Sequence, residues 1–476
     1  MQALQIVGGK PIQGTVTVAG ARNAITKLIV ASLISDKRCV FLNVPDVEDV
    51  ATTLQMCHEV GMEYLWDKEA KVLEVQTKGL KTTYVSHRFS GSNRLPILMV
   101  GALLARSERD IVVPLVCGVS DDARPVNFHE ESFRALGAHV EVKRARKEGS
   151  FHAFAPQGLT GGLVELPYPS IGATENSILA AVTARGTTMI TNAAIEPEVV
   201  ELILFLQKLG ANIVLDTDRK IIVQGTRSFK QVEHYLMADR IETASFAMLA
   251  LASGGKIFIE GAEQSHLITF LNAVREIGGY FSVKNNGIEF WTEHPLKSGL
   301  HIETDVHPGF MTDWQQPFVV LLTQAVGSSI VHETVYENRL GYIDTLKKMG
   351  AEISTFRQCL GGRICRFNDH AHPHSLIVRG RTVLEGISIS IPDLRAGFAY
   401  VMAAILAKGE STIKGLEFIV KGHERLIEKL QGIGVDISAV TRKSTEAGSD
   451  SLDLFNHMEQ LDVAKEHPNI VRGVQD

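Results

Sequence analysis

Leu136-Gly137-Ala138-His139-Val140 reads as the end of an amphipathic helix followed by the start of a strand, and the chain repeats that phrase. The other instances are Val60-Gly61-Met62-Glu63-Tyr64, Leu209-Gly210-Ala211-Asn212-Ile213, Ile277-Gly278-Gly279-Tyr280-Phe281, Met349-Gly350-Ala351-Glu352-Ile353 and Ile433-Gly434-Val435-Asp436-Ile437. Their glycines are 76, 73, 68, 72 and 84 residues apart. A glycine just past a helix end takes the left-handed conformation that closes the last turn, which a side chain disfavours. One such phrase carries little information, but six at near-constant spacing mark an internal repeat.

Each unit also carries an earlier helix that is apolar nearly all round, followed by a β-branched strand. Asn176–Ala184 precedes Thr187-Thr188-Met189-Ile190, Thr243–Ser253 precedes Lys256-Ile257-Phe258-Ile259, and Ala396–Ala407 precedes Ser411-Thr412-Ile413. A helix without a polar face belongs inside a fold. The unit therefore reads strand-helix-strand-helix-strand-strand, an α/β pattern. At about 70–80 residues it exceeds the roughly 20–50 residues of common solenoid repeats. Each unit is then a small subdomain, and three together bury their apolar helices inside a ring of short sheets. Past Val440 the pattern stops. Thr441–Ser451 is polar, with Gly and Ser, and reads as a flexible link, and Leu452–Ala464 reads as a short helix without chemistry.

With 476 residues, 45% of them hydrophobic and 21% charged, the chain has material for two or three domains with large cores. A net charge of −6 offers no general field for nucleic acid, so an anionic ligand must be held by local cations. The start, Met1-Gln2-Ala3-Leu4-Gln5-Ile6, lacks the charged and apolar regions of a signal peptide. Apolar runs such as Leu95–Ala105 are about half of what a membrane span needs. Cys39, Cys57, Cys117, Cys359 and Cys365 are odd in number and show no CxxC spacing. They predict reduced thiols in a cytoplasmic protein, with neither a disulfide frame nor a zinc site.

Several cations stand where helices begin. Arg22 opens the first apolar helix in Gly20-Ala21-Arg22-Asn23-Ala24, Arg94 the second in Ser92-Asn93-Arg94-Leu95-Pro96, and Arg395 the last in Asp393-Leu394-Arg395-Ala396. A helix N-terminus is already partly positive, so a cation there needs an anion beside it. An ion pair with a nearby carboxylate would explain one such residue; three at equivalent repeat positions point to an anionic ligand. Arg124, Arg339 and the stretch Lys421-Gly422-His423-Glu424-Arg425 add loop cations, and arginine forks suit carboxylate and phosphate oxygens. Asp313 is either an acid or base among them or the N-cap of the helix ahead of Phe318–Leu322. Cys117, in a loop near Arg124, is the cysteine whose thiolate nearby cations would favour; the other four fit the role of small hydrophobic side chains. Gly161-Gly162 and Gly361-Gly362 fit no phosphate-binding fingerprint and read as turns. Asp369-His370-Ala371-His372-Pro373-His374 reads as an exposed turn, with no second ligand cluster to make it a metal site.

Taken in order, Gly20–Ala24, Ala123-Arg124-Pro125-Val126, Pro169-Ser170-Ile171-Gly172-Ala173-Thr174-Glu175-Asn176, Asp239-Arg240-Ile241-Glu242-Thr243, Thr334-Val335-Tyr336-Glu337-Asn338-Arg339 and Asp393–Ala396 resemble the enolpyruvyl transferase family. The likeness covers about residues 4–438 and is strongest to the branch that uses UDP-N-acetylglucosamine for peptidoglycan. It implies two inside-out α/β barrels of three repeats each. The N-terminal barrel would span residues 22–236, with a reactive loop at 114–124. Residues 1–21 and 237–440 would form a discontinuous C-terminal barrel, and 441–476 a flexible tail.

The resemblance implies phosphoenolpyruvate and UDP-N-acetylglucosamine, or a related nucleotide or sugar acceptor, as substrates. It implies no cofactor and no metal, nucleic-acid or membrane partner. Carried over by motif, Asn23 would meet the sugar and the reacting centre. Arg22, Arg94, Arg124, Arg339, Arg395 and Lys421 would hold the phosphoenolpyruvate anions, Asp313 would take the acceptor proton, and Cys117 would serve the reactive loop. Arg94, Arg124, Pro125, Val126, Asn127, Phe128, His129, Ser170, Ile171, Gly172, Asp313 and Val335 would contact the nucleotide-sugar. The chain departs from the family pattern at four points. Arg22 replaces a lysine, Lys421 an arginine and Asn127 an aspartate, while Cys117 precedes Arg124 by seven residues in place of five. Alignment from Pro114 makes Cys117 the family cysteine; alignment from Arg124 puts Val119 there and leaves the acid to Asp121 or Asp122.

Overall fold

All six repeat glycines adopt positive φ: Gly61 120°, Gly137 85°, Gly210 121°, Gly278 80°, Gly350 103° and Gly434 86°. Each stands one or two residues beyond a helix and just before a strand, as the sequence predicts. The computed structural model describes residues 2–90, 95–115, 126–143, 149–362, 364–368, 370–391, 397–415, 422–441 and 470–472. In chain order the helices are α1 (Arg22–Ser32), α2 (Glu48–Glu59), α3 (Leu95–Leu104), α4 (Asn127–Ala135), α5 (Ile171–Ala181), α6 (Pro197–Leu209), α7 (Arg240–Ser253), α8 (Ile268–Glu276), α9 (Thr312–Leu322), α10 (Ile343–Lys348) and α11 (Gly397–Leu406), followed by Leu426–Gly432.

The odd-numbered helices are the apolar ones, and they pack on one another inside. α3 lies against α1 and α5, and α9 lies against α7 and α11. Every side chain of α3 is buried, as is the run Ala173–Ala181 of α5. The even-numbered helices are amphipathic and precede the glycine turns. One unit shows the plan. Strand Leu163–Glu165 leads through α5 to the parallel strand Thr187–Thr191, then through α6 and Gly210 to the hairpin Asn212–Asp216 and Lys220–Gln224. Among the described residues the strands form six sheets. Among the described residues the last glycine turn has no hairpin partner downstream; Asp436–Thr441 pairs with Gln2–Val7, in the register Leu4 to Ala439. The start of the chain thus completes the last repeat.

The buried apolar side chains form two clusters. One runs from Ala21 to Leu236. The other joins Leu4, Ile6, Ile12, Val16 and Val18 to residues from Ala244 to Ile437. Of the tail expected to be flexible, Ile470–Arg472 is described; it forms an edge strand antiparallel to Glu63–Asp67. No helix among the described residues is long and apolar enough to cross a membrane.

Close helix approach inside the first cluster rests on one glycine. The Gly101 N–H donates to Asn176 Oδ1 at 2.9 Å, and Asn176 Nδ2 donates to Ile97 O at 2.8 Å and to His129 Nδ1 at 3.0 Å. A Cβ on Gly101 would collide with both Asn176 oxygens. Gly101→Val is therefore expected to lower stability by on the order of 3 kcal/mol, from overpacking and an unpaired buried amide. Urea denaturation at neutral pH checks this; an unchanged midpoint contradicts it.

Candidate active site

The chain crosses between the two clusters twice, at Ala19–Ala21 and at Met237–Asp239, and the crossings bond to each other. Ala21 N–H donates to Met237 O at 2.8 Å and Asp239 N–H to Ala19 O at 2.9 Å. Asp239 caps α7 by accepting from Ile241 N at 2.8 Å and Glu242 N at 3.1 Å. Glu242 in turn accepts from Ala19 N at 2.7 Å and Lys429 Nζ at 2.6 Å. Lys71 reaches across to Glu424 at 2.7 Å. Polar groups thus define a seam between the halves.

Arg22 and Asn23 lie on this seam. α1 begins at Arg22, after Ala21, which provides no side-chain cap. Arg22 Nη1 donates to Gly422 O of the other half at 3.0 Å, next in sequence to Lys421. Burial, with Arg22 and Lys429 nearby, pushes the His423 imidazole down to about 3, so it is neutral near pH 7. Arg425, grouped with the cations in the sequence reading, points away: it is exposed and pairs with Glu428 at 2.6 Å.

Asp313 and Arg339 meet directly. Arg339 Nη2 donates to Asp313 Oδ1, and Nη1 donates to Thr312 Oγ1 at 3.0 Å. The Arg339 side chain is 3% exposed and that of Asp313 32% exposed, so the carboxylate is the member that faces outward. Asp313 is not the N-cap of α9, a place taken by Met311. Burial opposes the charge on Arg339, but Asp313 and Glu333 outweigh it and raise its pKa. Glu333 is the scaffold here. It accepts from Thr304 Oγ1 at 2.8 Å, Thr312 Oγ1 at 2.8 Å, Val335 N at 2.9 Å and Tyr336 N at 2.8 Å. Burial pushes its carboxyl up to about 6 despite Arg339.

The nucleotide-sugar candidates fall into two neighbouring groups. Asn127, Phe128 and His129 open α4, just after Val126. Ser170 caps α5, accepting from Ala173 N at 3.4 Å, with Ile171 and Gly172 next. The His129 ring lies 3.5 Å from where a Gly172 Cβ would be, so the two helix starts adjoin. Val335 comes from the other half. Arg366 joins the two sides: it donates to Val335 O, and its guanidinium lies 4.7 Å from the centre of the Tyr168 ring.

Arg94, Cys117, Arg124, Pro125, Arg395 and Lys421 lie outside the described residues. Glu333 and Arg366 make contacts that the sequence alone does not assign. Glu333 was recoverable as the residue between a strand and Thr334-Val335; Arg366 gave no signal. One expectation is corrected. Cys359 and Cys365, read as small hydrophobic side chains, are half-buried and converge with His332 and His374. The expectation of no second ligand cluster failed because strand pairing, and not sequence spacing, brings these four together.

The family model described as EPSP synthase (3-phosphoshikimate 1-carboxyvinyltransferase) matches residues 6–430. The chain belongs to this family, and it is an enzyme of the carboxyvinyl (enolpyruvyl) transferase class. It is 58% identical over 463 residues to UDP-N-acetylglucosamine 1-carboxyvinyltransferase of Protochlamydia amoebophila, covering 96% of this chain and 100% of that one. It is 34% identical to the protein of that name from Zymomonas mobilis, covering 92% and 100%. Among solved structures, the enolpyruvyl transferase NikO from Streptomyces tendae superposes with a TM-score of 0.81 at 19% identity, covering 93% of this chain and 99% of that one. The fold is the family's pair of inside-out α/β barrels.

Glu175 supplies a test of the buried electrostatics. It is buried, and neither carboxylate oxygen has a hydrogen-bond partner among the described residues. Burial pushes its pKa from 4.5 up to about 7, with Lys27 opposing and Glu198 and Glu196 adding to the rise. A raised folded-state pKa means that its contribution to stability is complete below about 4.5 and lost as pH rises through about 7. Glu175→Gln keeps the neutral shape. It is expected to be more stable than the parent at pH 8, by on the order of 2 kcal/mol, and nearly equal at pH 5. Urea midpoints at the two pH values check this; an equal difference at both contradicts the sign.

Proposed function

We propose that the chain transfers the enolpyruvyl group of phosphoenolpyruvate to the 3-hydroxyl of UDP-N-acetylglucosamine, releasing phosphate. This would be the first committed step of peptidoglycan precursor synthesis, carried out in the cytoplasm and supporting cell shape and division. The observation that carries the reading is end-to-end similarity to relatives of that name. The Asp313–Arg339 pair, set between a buried scaffold and the seam, supports it.

Addition and elimination assign the roles. The acceptor hydroxyl attacks C2 of phosphoenolpyruvate as its proton passes to a base, and C3 gains a proton. The resulting tetrahedral ketal then loses a proton from C3 and expels phosphate. Asp313 is the base, since its carboxylate is the outward member of the pair and Arg339 holds its orientation. Arg22, Arg94, Arg124, Arg339, Arg395 and Lys421 hold the carboxylate and phosphate, where fixed cations stabilise the charge that develops. Asn23 meets the sugar at the reacting centre, and Cys117 serves the reactive loop of residues 114–124. Val126, Asn127, Phe128, His129, Ser170, Ile171, Gly172 and Val335 receive the nucleotide-sugar. The two apolar clusters support a division into barrels at residues 22–236 and at 1–21 with 237–440.

Incubation with phosphoenolpyruvate and UDP-N-acetylglucosamine is expected to release phosphate and give a product of the enolpyruvyl-sugar mass. Asp313→Asn should lower kcat by about 100-fold or more with the circular dichroism unchanged. Phosphate release with a different nucleotide or sugar only would replace the acceptor. Tight nucleotide-sugar binding without release would make the protein a binder and not a catalyst.

A further inference from the structure

In four of the repeats, the strands that follow the glycine turn are joined by two to six residues, as between Asp67 and Val72 or between Lys143 and Ser150. In the fifth, Glu352–Phe356 and Ser375–Gly380 are joined by 18 residues, 357–374. Loops of this length without secondary structure need something to order them. The apolar content is small: Phe367 is buried, but Ile364 is 84% exposed.

Four potential ligands meet at the root of this loop. Strands Gly327–His332 and Ser375–Gly380 pair antiparallel with His332 opposite Ser375, which sets His332 beside His374. Cys359 follows Phe356, which also faces Ser375. One ligand atom from each of His332, Cys359, Cys365 and His374 falls within 4.8 Å of the others. Cys359 Sγ lies 3.6 Å from Cys365 Sγ and 3.5 Å from His374 Nε2. A tetrahedron with bonds of about 2.3 Å to sulfur and about 2.0–2.1 Å to nitrogen has edges of about 3.8 Å and about 3.5 Å for these pairs. The sulfurs are too far apart for a disulfide bond, which needs about 2.05 Å.

The surroundings are those of a ligand set. Cys365 N–H donates to Cys359 Sγ at 3.4 Å and Phe367 N–H to Cys365 Sγ at 3.3 Å, which stabilises negative charge on both sulfurs. His332 is fully buried, and neither ring nitrogen has a hydrogen-bond partner among the described residues. Its Nδ1 faces the Glu303 carboxylate at 3.6 Å, leaving Nε2 for a metal; a carboxylate behind a ligating histidine is the usual orienting partner. His374 Nδ1 faces His372 O at 3.5 Å. Gly361 passes so close to Glu303 and His332 that a Cβ there would collide with both, which accounts for a glycine at this position.

We propose that His332, Cys359, Cys365 and His374 bind a structural zinc ion that fixes the loop of residues 357–374. Two thiolates and two neutral imidazoles neutralise Zn²⁺, with the two thiol protons released to solvent. Two soft and two imidazole donors in a closed tetrahedron select zinc and leave no open position for catalysis. The loop so held carries Arg366, which joins Val335 to Tyr168 across the seam. On the proposed function, the metal therefore supports the nucleotide-sugar side of the cleft, but metal binding itself does not depend on that reading. Glu337, His370 and His372 form a second, more exposed group nearby, and it serves as the control.

Mass spectrometry of the purified full chain for metal content is the test. One zinc per chain is expected, retained in His370→Ala/His372→Ala and lost in Cys359→Ser/Cys365→Ser. Glu303→Gln should weaken zinc affinity by about 10-fold or more. Should the cysteine variant fail to fold, X-ray absorption on the unaltered chain must show two sulfur and two nitrogen neighbours. Zinc that instead follows His370 and His372 overturns the proposal. So does a folded, metal-free chain whose Cys359 and Cys365 either react freely with a thiol reagent or have lost two hydrogens to a disulfide.

Discussion

Glu198 and Arg240 form a buried ion pair that ties the two halves together. Glu198 sits in the first turn of α6 and Arg240 opens α7, so the pair spans the two clusters; Arg240 Nε and Nη2 each donate to a Glu198 oxygen at 2.9 Å. Their side chains are 3% and 8% exposed. Burial opposes ionisation of Glu198, but the guanidinium outweighs it and holds the carboxyl below its ordinary pKa. A buried pair of this kind gains little over a hydrophobic contact, yet removing one member leaves a charge stranded at a cost of about 3–5 kcal/mol. The pair is therefore costly to break even though it adds little net stability. The Arg240 guanidinium also lies 5.5 Å from the centre of the Trp314 ring, next in sequence to Asp313. The pair at the crossing is thus one side chain away from the proposed base.

From that seam the candidate site draws on both halves. The first half contributes helix starts: Arg22 and Asn23 on α1, Asn127–His129 on α4, and Ser170–Gly172 on α5. The second half contributes the hydrogen-bonded corner of Thr304, Thr312, Glu333 and Arg339, which holds Asp313. Buried Glu333 accepts four hydrogen bonds, so Val335, Arg339 and Asp313 share one support. Fixed donors and cations of this kind suit a reaction whose charge grows on an added anion.

Much of the fold was legible because its signals are local. A glycine that must take positive φ, and a helix without a polar face, announce themselves within a few residues. The first half of the candidate site drew notice for the same reason, since Arg22 at a helix start breaks a local electrostatic rule. What the sequence hid depends on strand register and loop return. Arg339 and Asp313 are 26 residues apart, and His332 and His374 meet only because two antiparallel strands end side by side. The spacing of Cys359 and Cys365 fits no common zinc motif, since two of the four ligands come from neighbouring strands. Ile470–Arg472 joined a sheet edge more than 400 residues away, which no local pattern could announce.

The central claim is that groups from both halves act on one pair of substrates at the seam. A crystal structure with UDP-N-acetylglucosamine and an unreactive phosphoenolpyruvate analogue tests it most directly. The account predicts the sugar 3-hydroxyl within roughly 2.6–3.2 Å of an Asp313 carboxylate oxygen. It also predicts the analogue's anionic groups on arginines of both halves. A nucleotide-sugar bound away from Ser170–Gly172 and Val335, or an Asp313 turned from the hydroxyl, would contradict it.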